Sequence, residues 1–261
     1  MVHHNYEIGG SFFGIRSTSE AFGAALDDVL AEYRTDQRAS PLYSVLVGSD
    51  RGDQVRGFHV LYESGYSIAR TLHMERIAAV LLSRLDTFVL GDRTDAIYVD
   101  ANLVRSNGTT ALVPSSVAIT LSRIGRRVER SSLSLSADMV VAIDPATGLA
   151  GSVEPILQIP ADSVARLTEA VSGQVGQGPT RLDSVPVDLV LVTGGGGETV
   201  HPVSRGYALS VLAGNTVNII PLGRDGLEGL ARFVSRAGCY RVVSDSAQTM
   251  LTALTQALTM E

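Results

Sequence analysis

Apolar runs of strand length alternate with amphipathic stretches of helical spacing along this chain, and that alternation restricts it to the α/β class. Residues 12–16 read as a strand, and Ser17-x-x-Glu20 has the spacing in which two side chains satisfy orphan amides at a helix start. Phe22, Ala25, Val29 and Leu30 then recur at helical spacing, so a helix to about residue 32 packs one face on a sheet. Residues 43–47 and 55–62, joined by the turn-rich 48–53, and residues 66–69 read as strands of an antiparallel N-terminal portion. Ile77, Val80, Leu81 and Leu85 mark an amphipathic helix over 74–85.

Three short strands are expected next, at 96–99, 102–105 and 109–113. The last two are joined by Ser106-Asn107-Gly108, whose Asn-Gly pair favours a tight hairpin. Pro114-Ser115-Ser116 opens a helix to about residue 124, with Gly125 placed to end it. Strands at 133–136 and 139–143 and a turn at 144–148 follow, then a helix from Asp162 or Ser163 to 171 and a loose Gly-rich stretch at 172–179. The last third holds a buried strand at 187–192, helices at 205–212, 227–236 and 247–258, and a strand at 240–243; Asp225-x-x-Glu228 repeats the capping spacing. No internal repeat is visible. The chain is read as a single domain, 1–261, with N-terminal strands and helices over 1–95 and a core over 96–261.

Composition matters most for what it excludes. All 21 basic residues are arginine, so no Schiff-base lysine, no phosphate-loop lysine and no kinase lysine exists anywhere in the chain. A net charge of −6 argues against a general nucleic-acid or anionic-membrane binder, because phosphate affinity comes from clustered positive charge. The single Cys239 can form neither an internal disulfide nor a cysteine metal cluster, and no run resembles a signal peptide or reaches membrane-spanning length. The expected address is the cytoplasm.

The order of elements resembles the C-terminal domain of HPr kinase/phosphorylase and its relatives in modified-peptide gene clusters. FFGIR, FHVLYESGYSIAR and MERIAAVLLSRLD are similar to the region before the phosphate loop of such proteins. Residues 108–114 (GTTALVP) resemble the strand entering that loop, and 133–148 (LSLSADMVVAIDPATG) the segment carrying the catalytic aspartates. VDLVLV, HPVSRGYALSVLAGNTVN and CYRVVSDSAQTMLTALTQAL are similar in layout to the closing strands and helices. The resemblance implies a mixed sheet flanked by helices, with strand 109–113 running into a helix near Ser115 and flanked in the sheet by strand 139–143.

The departures from that family bear on chemistry. A working phosphate loop needs G-x-x-x-x-G-K-S/T, because glycine-permitted amides surround the phosphates, Lys holds the outer ones and the hydroxyl holds Mg²⁺. Here the strand ends at Val113-Pro114 and Ser115-Ser116 begins the helix almost at once. The paired aspartates of the family reduce to Ala137-Asp138, and the His before the loop is replaced by Asp100 or a neighbour. Ser115, Ser116 and Asp138 are thus residual phosphate-site positions, with no catalytic residue, metal site or cofactor assigned. The expectation is a pseudokinase-like accessory or binding protein of peptide or natural-product biosynthesis. The alternatives are a divergent kinase or transferase holding phosphates with Arg and helix-end amides, and a small-molecule sensor. The partner expected is a protein or peptide, met by Arg123, Arg126, Arg127 and Arg130, with a homo-oligomer left open and no nucleic acid or membrane.

Other motifs carry less. Gly194 to Gly197 follow a buried strand, where α/β proteins place phosphate loops, but without Rossmann spacing they read as a flexible turn, and 198–202, with His201, as loop. His3-His4 reads as a frayed terminus, His59 as a strand residue, and no His pair has metal-ligand spacing. There is no G-x-S-x-G elbow.

Overall fold

The computed structural model describes residues 1–48, 50–51, 55–122, 124, 127–128, 131–136, 140–153, 183–194, 200–244 and 246–259. They fall into two compact units, one of residues 1–89 and one of 90–153 with 183–259. The expected helix at 162–171 and the stretch 172–179 lie outside the described residues.

In the first unit β1 (Val2–Ile8), β2 (Ser11–Ser17), β3 (Pro41–Leu46), β6 (His59–Glu63) and β7 (Tyr66–Thr71) form one sheet in the order β1-β2-β3-β6-β7. A small hairpin, β4 (Asp50–Arg51) with β5 (Val55–Arg56), divides the single strand expected over 55–62. The meander β3-β6-β7 is antiparallel, but β2 and β3 pair in parallel because α1 (Glu20–Val29) carries the chain from one end of the sheet back to the other. The N-terminus is not frayed: Val2 to Ile8 pair residue by residue with β2, and Tyr6 and Ile8 are buried. The cap of α1 is also displaced, with Ser19 Oγ accepting from Phe22 N at 3.3 Å, while Ser17 Oγ accepts from Ser19 N at 3.1 Å.

Strand alternation sorts the side chains of this unit. Phe13 and Ile15 of β2, Tyr43 and Val45 of β3 and Leu61 of β6 point inward. There they meet Phe22 and Leu26 of α1 and Ile77, Leu81 and Leu85 of α2 (Met74–Leu90). Arg16, Ser44 and Tyr62 form a cross-strand row on the other side of the same three strands.

The second unit is built on one sheet, whose order is β12 (Ala150–Ser152), β11 (Val140–Ile143), β8 (Ile97–Ser106), β9 (Thr109–Pro114), β13 (Leu189–Thr193), β15 (Gly238–Val242), β14 (Val200–Pro202), with β10 (Ser134–Leu135) also on β8. Residues 96–99 and 102–105 merge into β8, and Asn107 and Gly108, at φ 50° and 89°, make the expected hairpin. β9, β13 and β15 are mutually parallel; the other pairings are antiparallel. Helices α3 (Ser115–Ser122) and α6 (Ala247–Ala257) cover one face through Val117, Leu121, Leu251 and Leu254. Helices α4 (Arg205–Gly214) and α5 (Ile219–Arg236) cover the other through Ala208, Leu212, Leu230 and Phe233.

Two local expectations are corrected here. Span α5 is two helical pieces joined across the non-helical Gly223 (φ 54°), so the piece that carries 227–236 begins just after Gly223 and holds Asp225 within it; Glu228 pairs back with Arg224 at 2.7 Å instead of closing a capping box. Residues 200–202 form an edge strand, because β15 offers them an open ladder.

Three buried tyrosines share one arrangement, each donating its hydroxyl to a carboxylate: Tyr6 to Asp27 at 3.3 Å, Tyr43 to Glu63 at 2.9 Å and Tyr98 to Asp95 at 3.0 Å. Burial first and the carboxylate second push the Tyr98 phenol up to about 12 and raise those of Tyr6 and Tyr43 as well. Unfolded phenols ionise near pH 10, so above about that pH the unfolded chain loses these protons first and native stability falls as pH rises toward 12. Thermal melts followed by circular dichroism should show a lower midpoint at about pH 11 than at about pH 9, with part of the tyrosinate absorbance appearing only on unfolding. Complete tyrosinate formation in the folded chain would contradict this.

Candidate functional site

Parallel strands with helices on both faces bind ligands outside their carboxyl ends, at the point where successive connections leave toward opposite faces. That point lies between β9 and β13. β9 leads into α3 on one face, whereas β13 is followed by β14 and then α4 on the other.

On the β9 side the junction is as short as it can be. Pro114 is the last strand residue and Ser115 the first helical one, so no loop separates them. Ser115 is half-buried and Ser116 exposed. A helix start offers free amides and the positive end of the dipole, but an encircling set of amides needs a loop. β9 is flanked by β8 and β13, so strand Val140–Ile143 does not neighbour it as the resemblance implied; it lies one place further out, beyond β8. The long hairpin partner β8 takes that place, because a two-residue turn holds it beside β9. Val113 and Val141 do belong to the same unit, within opposite faces of its core. Asp138 lies outside the described residues.

On the β13 side the structure assembles a group that sequence reasoning missed. Parallel register sets Arg241 of β15 opposite Val192, and its side chain lies over Gly194, where a Cβ would come within 2.7 Å of Arg241 Cδ. Arg241 Nε donates to His201 Nε2. In sequence, His201 stands near the glycine run but Arg241 does not.

The two features face apart. Arg241 alternates with Tyr240 and Val242, which pack on the α3 and α6 side, so it points to the face carrying α4, as Cys239 does. The start of α3 is on the opposite face and two strand spacings away, about 10 Å.

Of the basic cluster, Arg127 is exposed and donates to Gln248 Oε1 in the first turn of α6, tying the segment after α3 to that helix. Arg123, Arg126 and Arg130 lie outside the described residues. Asp100 is half-buried in β8, its amide donating to Asn215 O at 2.8 Å. Cys239 is buried, and burial raises its thiol, which disfavours the thiolate a nucleophile needs. Among the described residues no three His, Cys, Asp or Glu side chains gather as metal ligands.

The class defined by fold and site is an α/β protein with mixed sheets flanked by helices, in which a parallel strand meets a helix start with no intervening loop. No described helix is long and apolar enough to cross a membrane. No protein-family model, no curated protein and no solved structure matches the chain.

Proposed function

We propose that this chain is a non-catalytic binding or accessory protein related to the HPr kinase/phosphorylase C-terminal domain, its nucleotide site decayed, serving a pathway that modifies a peptide or another natural product. The observation that carries this reading is the direct passage from Pro114 to Ser115, strand to helix. With no lysine in the chain, what remains at that edge is one helix start and two hydroxyls. A helix-end charge interaction contributes about 0.3–1 kcal/mol when exposed, whereas micromolar nucleotide affinity needs about −8 kcal/mol. The divergent-transferase reading needs arginine in place of lysine, and the separation of Arg241 from the α3 start weighs against it.

Calorimetry with ATP and GTP, with and without Mg²⁺, is expected to show no binding tighter than about 1 mM. A micromolar dissociation constant would establish the transferase reading instead. The accessory reading also separates two variants assayed by product formed in the native pathway, once each is shown to be folded. Asp138→Asn should leave product nearly unchanged, whereas loss of a catalytic base costs roughly 10²–10⁴-fold. The double reversal Arg126→Glu/Arg127→Glu should abolish product if an acidic partner docks there; Gln248→Ala controls for the contact of Arg127 with α6.

A further inference from the structure

We infer that the N-terminal unit carries a binding site for a small organic carboxylate, in a cleft on the side of its sheet opposite the helices. The cleft has a volume of about 370 Å³ and is lined by Arg16, Thr18, Ser44, Leu46, Tyr62 and Gly65, among others. That volume lies within the range of small-molecule sites, roughly 300–1,000 Å³.

Its chemistry comes from the row across β2, β3 and β6. Arg16 stands beside Ser44 in the parallel pair, and Ser44 stands beside Tyr62 in the antiparallel one, so three polar side chains converge on one wall. Arg16 Nε donates to Ser44 Oγ at 2.6 Å, which orients the guanidinium and leaves its two terminal nitrogens to pair with something else. Among the described residues no Asp or Glu forms an ion pair with Arg16.

A planar guanidinium presenting two parallel N–H groups matches a carboxylate. Arg16 is the one charged side chain among the described lining residues, Met1 lines the cleft as well, and the planar guanidinium fork fits the two coplanar oxygens of a carboxylate. Leu46, which is 43% exposed, and the Tyr62 ring offer apolar surface to the rest of the molecule. The occupant is therefore one carboxylate on an apolar body, with Tyr62 Oη and Ser44 Oγ beside the head group. This site stands whether or not the edge at β9 and α3 binds nucleotide.

The test is titration of the full chain with benzoate, hexanoate and indole-3-acetate, with benzamide and phenyl phosphate as comparators, by calorimetry and ligand-detected NMR. At least one carboxylate should saturate with a dissociation constant at or below about 1 mM, and benzamide should not. Arg16→Gln should weaken binding at least about tenfold and Tyr62→Phe by a smaller factor, both with unchanged circular dichroism. Failure of all three carboxylates, equal binding by Arg16→Gln or tighter binding of phenyl phosphate would each overturn the assignment. If Arg16→Gln does not fold, Tyr62→Phe and the benzamide comparison decide it.

Discussion

Asn218→Ala is expected to lower the unfolding free energy by about 3 kcal/mol or more, the largest single effect anticipated in the second unit. Asn218 is fully buried and clamps the start of β8 with every part of its amide. Its Oδ1 accepts from Tyr98 N at 2.9 Å, and its Nδ2 donates to Arg93 O and Ala96 O, both at 2.7 Å. Alanine leaves one buried donor and two acceptors without partners, each costing about 1–3 kcal/mol. For a chain of this size the midpoint should fall by roughly 6–12 °C. Asn218→Asp is equally informative, since it keeps the acceptor for Tyr98 N but sets carboxylate oxygen against two carbonyls. Urea titration followed by circular dichroism measures both, and a loss under about 1 kcal/mol for either would mean that water replaces the clamp.

In the first unit the corresponding expectation is Phe13→Ala, at about 3–5 kcal/mol. Phe13 is 1% exposed, its ring 5.5 Å edge-on from Phe88 and 5.8 Å from Tyr6, so truncation opens a cavity bounded by rings that cannot collapse far. Its neighbour supplies the control: Phe12 is 39% exposed on the other side of β2, and Phe12→Ala should cost under about 1 kcal/mol. Equal losses for the two would mean that the register of β2 with β1 and β3 is misassigned.

Neither effect is visible in the sequence to the same degree. Phe12 and Phe13 are identical in type, and only the alternation through Ile15 suggests which one turns inward. Asn218 gives no signal at all. It belongs to no capping box, and its partners Arg93, Ala96 and Tyr98 lie more than a hundred residues away in the chain.

The candidate edge was legible in the same uneven way. Local chemistry revealed that Pro114 and Ser115 leave no room for a phosphate loop, and the strand and helix there are as the residues predict. The neighbours of that strand were not legible. β9 sits between β8 and β13, one bound to it by a hairpin turn and the other brought from residue 189, so the expected adjacency of strand 140–143 gave way. Arg241 reached Gly194 by the same long-range parallel pairing.

What this chain encodes locally is periodicity, turns and composition. Alternating apolar runs specify strands and helices because side-chain direction repeats every 2 or 3.6 residues, and Asn107-Gly108 specifies its hairpin because it tolerates positive φ. The lack of lysine excludes whole chemistries without any structure. Strand order, the parallel turn from β2 to β3, the clamp of Asn218 and the row of Arg16, Ser44 and Tyr62 were decided only by tertiary structure. Sheet pairing joins residues through backbone hydrogen bonds that carry no side-chain identity, so which strand lies beside which depends on how whole faces are buried together.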